Sequence, residues 1–186
     1  MQLPLKDVRF MKKATISSKL ATPNSLGDQA RDAITNALNP LVADAFVLYV
    51  KTKNYHWHVS GPNFRDLHLL FDEQAEQILT MIDTIAERVR KLGGLTIHSI
   101  GEIGELQNMR DDNEAFVEPK EMLRRLFKDN KDFTDLLRQA HTVCEKHNDV
   151  ATTSILEILI DEAERRAWFL FWKLMGTYMM PNRRPT

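Results

Sequence analysis

Two pairs of side chains able to hold a metal ion stand close together in this sequence: His68 with Asp72, and Asp83 with Glu87. Each pair is spaced i, i+4, which on a helix puts both members on one side, one turn apart. The segment around them reads as such a helix. It starts at Pro62 or Asn63, after the Ser60-Gly61 break, and stops at Gly93-Gly94. Leu67, Leu70, Phe71, Ile78, Leu79, Ile82, Ile85, Ala86 and Val89 recur at three- and four-residue spacing, which marks a core-facing stripe. From Asp72 to Asp83 is eleven residues, close to three whole turns, so all four ligands lie near one face. Eleven residues also rise roughly 16 Å, too far for one ion or a close metal pair to bridge within a chain. A second copy of the helix, antiparallel across a two-fold axis near Gln77, closes the gap. It brings His68 and Asp72 of one chain against Asp83 and Glu87 of the other, making two identical sites. Two-fold homodimers are the commonest assembly. The spacing therefore predicts a metal site made between subunits.

The elements that must position these residues are all helical. A first helix is expected from about Asp28 to Trp57, capped by Ser25 or Asp28. Ala30, Ala33, Ile34, Ala37, Leu38, Leu41, Ala45, Phe46 and Leu48 form its stripe. Pro40 should kink it, or Asn39-Pro40 should restart it with Asn39 as cap. After the second helix, residues 95–117 form a connection in which Ile97, Ile100, Ile103 and Leu106 suggest a short helix buried by one edge. A third long helix runs from about Pro119 to Lys146, with Leu123, Leu126, Phe133, Leu137, Ala140 and Cys144 inward. Asn148-Asp149 makes the turn and caps a fourth, which ends before Pro181. The aromatic cluster Trp168, Phe169, Phe171 and Trp172, with Met175, is expected to be core and subunit interface. Four long helices without strand signals make an all-α four-helix bundle, residues 28–180, with a short C-terminal tail, 181–186. Two short turns give antiparallel hairpins, and the long central connection crosses the bundle, the wiring of ferritin-like folds.

Length and composition bound the function. The 186 residues make one domain with a real core, and 43% hydrophobic against 27% charged residues is a globular balance. A net charge of −1 gives no global attraction to nucleic acid. The single cysteine, Cys144, leaves no internal disulfide framework and fits a reducing compartment. No apolar run is expected to span a membrane and no signal-peptide region is visible, so the expected location is the cytoplasm. Residues 1–27 read as a flexible basic tail: Lys6, Arg9, Lys12, Lys13 and Lys19 against Asp7. Either it is a solvated arm or it touches nucleic-acid phosphates; little aromatic interleaving favours the first.

The segment KTKNYHWHVSGPNFRDLHLLFDEQ followed by DTIAERVRKLGG resembles the Dps family, the mini-ferritins or DNA-binding proteins from starved cells. The pattern is histidine-tryptophan, twelve residues to a second histidine, four to an acid, eleven to another, four to a glutamate. His56, Trp57, His68, Asp72, Asp83 and Glu87 meet every spacing. The resemblance implies a hollow dodecamer that takes up Fe(II), oxidises it with hydrogen peroxide or oxygen at sites between two-fold-related subunits, and stores the ferric mineral inside. This suppresses Fenton chemistry and protects DNA. It implies that His56, His68 and Asp72 come from one subunit and Asp83 and Glu87 from its mate. Trp57, beside His56, is implied as a source or sink of electrons, with bundle packing as its other role. The resemblance also places Glu145 and Asp149 where three-fold pores are lined with acids, although Val150 and Ser154 stand where some relatives carry more; ordinary turn capping is an equal reading. His58 replaces a commoner asparagine, and lies about 200° around the helix from His56, which favours a surface or interface histidine over a third ligand.

This ligand set suits iron. Carboxylates hold both Fe(II) and Fe(III), imidazole adds affinity for Fe(II), and few ligands leave positions open for an oxidant; Zn(II) is also accepted by such a set. Separately, each acid could be a solvated helix-face residue and His68 a satisfied core histidine; together, at these spacings, they point to the metal. Larger ferritins need Glu-x-x-His pairs, and none of the six histidines has glutamate three residues before it. The alternative that stays open is a non-enzymatic nucleoid protein that condenses DNA through twelve basic tails.

Overall fold

The structure, a computed structural model, describes residues 16–179; Lys6, Arg9, Lys12 and Lys13 of the expected tail, and the C-terminal residues from 180, lie outside that range. Helix α1 spans Asp28–His58. Neither expected cap closes it. Its N-cap is Gly27 with no side-chain cap bond, and Asn24 Oδ1 instead accepts from the N–H groups of Leu26 (2.9 Å) and Gly27 (3.1 Å) just upstream. Asp28 sits in the first turn, where its charge suits the helix dipole. The expected restart at Asn39-Pro40 does not occur, because α1 runs through Pro40 unbroken. Proline has no N–H, so the Asn36 carbonyl forfeits its helical partner. Asn39 is buried and donates Nδ2 to the Leu95 carbonyl (2.9 Å) rather than capping.

Helix α2, Phe64–Lys91, has Asn63 at its N-cap. It ends at Gly93, for two reasons. Gly93 has φ +83°, in the left-handed region that side chains resist, and a Cβ there would meet the Thr22 carbonyl oxygen at 2.5 Å. Thr22 belongs to a strap across the end of α2. Asn24 Nδ2 donates to the Leu92 carbonyl (2.8 Å) and Arg90 Nη2 to the Leu20 carbonyl (2.6 Å). Residues 20–27, expected as flexible tail, are therefore tied to α2. The Leu92 carbonyl, left unpaired where the helix ends, gives the strap one attachment point, and the Arg90 side chain gives the other.

Helix α3, Ile100–Leu106, is capped reciprocally. Ser99 Oγ accepts from Glu102 N (3.2 Å), and Glu102 Oε2 accepts from His98 N (2.6 Å). Ile103 and Leu106 are buried, but Ile100, expected on the same edge, is exposed at the helix start. Helix α4, Pro119–Lys146, begins with proline, whose missing N–H costs nothing in the first turn. Helix α5 covers Val150–Met179. Between them Asn148 adopts φ +56°, a conformation asparagine tolerates, and the Asp149 side chain accepts from Thr152 N (3.1 Å) as the α5 cap.

Helices α1 and α2, and α4 and α5, pack as hairpins, and α1 against α4 joins the hairpins around one core. Leu38, Leu48, Phe71, Ile78, Leu126, Phe133, Leu156 and Leu170 are all fully enclosed in it. Among the described residues the architecture is all-α, a ferritin-like bundle with a short helix in the crossing connection. That connection is bolted to α1 by buried Asp44, which accepts from the N–H groups of Asn108 (2.6 Å) and Met109 (2.8 Å). Burial pushes the Asp44 carboxyl up, against the pull of these donors. Further along, the Tyr55 hydroxyl donates to Asp112, whose carboxylate also pairs with Arg125 (2.8 Å).

Contrary to the expectation that no run could span a membrane, α1 is long and apolar enough by length and composition alone. Most of its apolar residues are buried in the bundle core, Val50 and Trp57 being the exposed exceptions. Its charges have protein partners too: Asp44 as above, and Lys51 on Asp129 of α4 (2.8 Å). Packing in the bundle accounts for its apolarity.

At the start of α4, Arg124 and Arg125 hold the Glu121 carboxyl down to about 2, from 4.5. A depressed carboxyl stabilises the fold at higher pH and loses that contribution as pH falls from about 4.5 towards about 2. Acid unfolding of Glu121→Gln, followed by circular dichroism, should therefore be flatter than wild type across that window and parallel above it.

Candidate metal centre

The α1–α2 hairpin brings the last turn of α1 against the second turn of α2, and with it His56 against His68. The two residues grip each other's backbone. His56 Nδ1 donates to the His68 carbonyl (2.8 Å), and His68 Nδ1 donates to the His56 carbonyl (2.9 Å). A carbonyl only accepts, so each Nδ1 carries the proton and each Nε2 keeps its lone pair free. This is the second-shell arrangement that prepares imidazole as a ligand. The rings stack with centroids 3.8 Å apart, and Phe64 covers the outer side of His68 at 5.1 Å. Asp72 completes this half: its Oδ1 lies 3.7 Å from His56 Nε2. The same oxygen takes a 2.6 Å ion pair from Lys53 Nζ. The Lys53 ammonium, hydrogen-bonded to it, holds the Asp72 carboxyl below the usual range.

Asp83 and Glu87 do not join them. Both are exposed on α2, and Glu87 pairs with Lys91 at 2.9 Å. Among the described residues no three His, Cys, Asp or Glu side chains converge tightly enough to hold an ion within one chain. Leu79, expected in the core stripe, is instead 47% exposed. Seven residues bring it back near the azimuth of Asp72, so it lies on the ligand face between the two pairs. An apolar residue there makes that face partly hydrophobic.

Trp57 is 62% exposed and turned out from the bundle. His58 is exposed and bonds Asn54 O through Nδ1 (2.8 Å), apart from the other two histidines. Of the two acids placed at a pore, Glu145 is exposed. Asp149 is not free to line one. It is 2% exposed, caps α5, and takes a 2.6 Å ion pair from Arg88. Its capping geometry, legible in the Asn-Asp turn, consumes the carboxylate. Cys144 is buried and its thiol is pushed up to about 12 by burial, which makes it unreactive. Trp168, Phe169 and Trp172, expected as core and interface, are all exposed on this chain, lining a groove of about 500 Å³ with Leu70, Asp66 and Lys173.

Sequence reasoning missed Lys53 and Phe64. Lys53 stands one helical turn before His56, so the i, i+3 spacing alone placed a cation near the site. Phe64 stands four residues before His68, the spacing of a stacked pair on a helix.

Comparison with known proteins agrees with this arrangement. The ferritin-like domain family matches residues 35–173. An uncharacterized low temperature-induced protein of Nostoc is 36% identical over 84% of this chain and 88% of its own length. DNA protection during starvation protein 2 of Bacillus anthracis is 33% identical, covering 74% of this chain and 93% of that protein. The crystal structure of a DPS protein from Vibrio cholerae O1, described as a member of a broad superfamily of ferritin-like diiron-carboxylate proteins, superposes with a TM-score of 0.77 at 26% identity. It spans 85% of this chain and 99% of that one. With that domain spanning residues 35–173 and a DNA protection during starvation protein 33% identical over 74% of the chain, the chain belongs to the Dps family of ferritin-like proteins.

Proposed function

We propose that this protein is an iron-storage ferroxidase that binds Fe(II) as substrate between two-fold-related subunits. His56, His68 and Asp72 hold it from one side, and Asp83 and Glu87 from the other. The observation that carries this reading is the reciprocal histidine pair, which leaves two Nε2 lone pairs beside Asp72. Two nitrogens and a carboxylate are half of a site. The missing oxygens stand on the same helix face, roughly 16 Å away along α2, within reach only of a second copy. The iron chemistry is that of its diiron-carboxylate relatives.

In the proposed reaction two ferrous ions each give up one electron. Hydrogen peroxide takes both electrons and two protons and leaves as two waters; dioxygen as oxidant takes the same two electrons and two protons and leaves as peroxide. Carboxylates stabilise the higher charge of the ferric product. Because peroxide is reduced by two electrons, no hydroxyl radical is released, and nearby DNA is spared. Trp57, exposed in the single chain and next to His56, is placed to supply an electron when only one iron is bound. The ferric product is stored as mineral inside a homododecamer whose contacts include the exposed Trp168 and Trp172. The buried, unreactive Cys144 suits a cytoplasmic setting. Zn(II) competes for the same ligands.

The test is Fe(II) oxidation under anaerobic conditions with added peroxide, and separately with oxygen, against buffer. Rates well above buffer, with protein-held ferric iron eluting at the size of a cage, support the reading; buffer-like rates with both oxidants sink it. Lys53 gives a second handle. Its ammonium must leave Asp72 before the carboxylate can ligate, so Lys53→Gln should bind a divalent probe such as Co(II) about fivefold more tightly by calorimetry, the worth of a partly exposed ion pair. DNA association rests on the tail cations outside the described residues. Deletion of residues 1–15, which spares the strap, should abolish any salt-dependent DNA shift if the tail carries it.

A further inference from the structure

We propose that the centre of the bundle is a binding site for a small monovalent anion of chloride's size, held by Arg166. This site is separate from the iron ligands and does not depend on the ferroxidase reading. Arg166 heads the fully buried side chains in size and is 1% exposed. Its Nε donates to Asn130 Oδ1 (2.9 Å). Asn130 is itself fixed, donating Nδ2 to the Leu126 carbonyl (2.9 Å) and accepting at its own carbonyl from Thr134 Oγ1 (2.8 Å). The other end of the guanidinium has nothing. Nη1 and Nη2 are both shielded from solvent and have no hydrogen-bond partner among the described residues.

The charge is as unmet as the donors. Burial pushes the guanidinium down to about 10, so it stays cationic at neutral pH, and among the described residues the charge acting on it is Glu162, a turn earlier on α5, which attracts without an ion pair. A buried cation with no counter-charge is strongly unfavourable, and nature ordinarily pairs it. The amide across from it cannot do so. Gln74 gives its Nε2 to the Arg166 carbonyl (3.2 Å), and its Oε1 is buried without a partner. A water between Oε1 and one Nη would satisfy dipoles and leave the charge bare. An anion accepting from both Nη groups supplies the acceptors and the charge together. The occupant must be compact, because Gln74 and Asn130 both bond Arg166 and the arginine is fully enclosed. A guanidinium here also sets this chain apart from bundles that hold a metal on carboxylates and histidines between their own helices.

The test uses the assembled wild-type protein. Thermal unfolding in sodium chloride or bromide is compared with sodium gluconate at matched ionic strength. The expected result is a saturable halide-specific rise, on the order of 3 °C for each tenfold increase above the dissociation constant. Arg166→Met should lose the halide dependence. Should that variant fail to fold, bromide anomalous diffraction on wild-type crystals decides, with a peak expected within hydrogen-bond distance of Nη1 and Nη2. Halide curves that coincide with gluconate, a halide response that persists in Arg166→Met, or no anomalous peak beside Arg166 each overturn the proposal.

Discussion

Replacing Asp83 and Glu87 together by alanine is expected to reduce Fe(II) oxidation to the protein-free rate and leave the fold intact. Both side chains are exposed on α2, and Glu87's ion pair with Lys91 is itself exposed. Surface changes of this kind alter stability by about 0.5 kcal/mol or less. In the proposed intersubunit site the same two carboxylates would supply the half of the ligand set that the partner chain brings. Second-shell changes alone cost roughly 10- to 100-fold in metal affinity, and loss of two direct ligands should exceed that. The pairing of a silent thermal profile with lost oxidation is the signature sought. A variant that oxidises iron normally would make these acids ordinary solvated residues.

Asp149→Ala is expected to be among the most destabilising single changes at the turns that end the helices. Its carboxylate caps α5 at Thr152 N and receives Arg88 Nη2 at 2.6 Å, while Arg88 Nε reaches Thr152 Oγ1 at 2.7 Å. Removing it deletes a cap worth about 1 kcal/mol. It also strands a mostly buried guanidinium, and breaking a buried pair costs about 3–5 kcal/mol. A total near 3 kcal/mol, allowing for the partial exposure of Arg88, corresponds to a melting-point fall of roughly 6–12 °C. Because Arg88 follows Glu87, loosening it should also blur the register of the acidic half-site. A pore role predicts the opposite pattern, slower iron uptake at unchanged melting temperature.

Helix order, the bundle and its wiring were legible because each long helix carries its own periodic stripe and ends at a glycine, proline or Asn-Asp turn. What the pattern could not carry were contacts distant in sequence. Asn24 reaching the end of α2, Asp44 holding the Asn108 backbone, and Arg88 meeting Asp149 join residues that no local period relates. Of the two readings of Asn39-Pro40, a kink or a restart, the restart fails because tertiary packing holds α1 together through a missing hydrogen bond. Leu79 was misjudged because an exposed apolar residue at helical spacing looks the same in sequence as a core one. In the candidate site, the nearness of His68 to Asp72 and their separation from Asp83 and Glu87 could be read from spacing and rise, while the place of His56 beside them came with the resemblance. The histidine tautomers could not, since they depend on carbonyls that only the folded hairpin presents.

The central claim is that each iron site is shared by two chains, and co-assembly tests it most directly. One set of subunits carries His68→Ala/Asp72→Ala and the other Asp83→Ala/Glu87→Ala, each inactive when assembled alone. After mixing under conditions that exchange subunits, every mixed dimer should contain one intact site and one empty one. Random pairing then restores about a quarter of the wild-type ferroxidase activity. Mixed assemblies as inactive as their parents, with mixing verified by mass spectrometry, would contradict a site built across the two-fold axis.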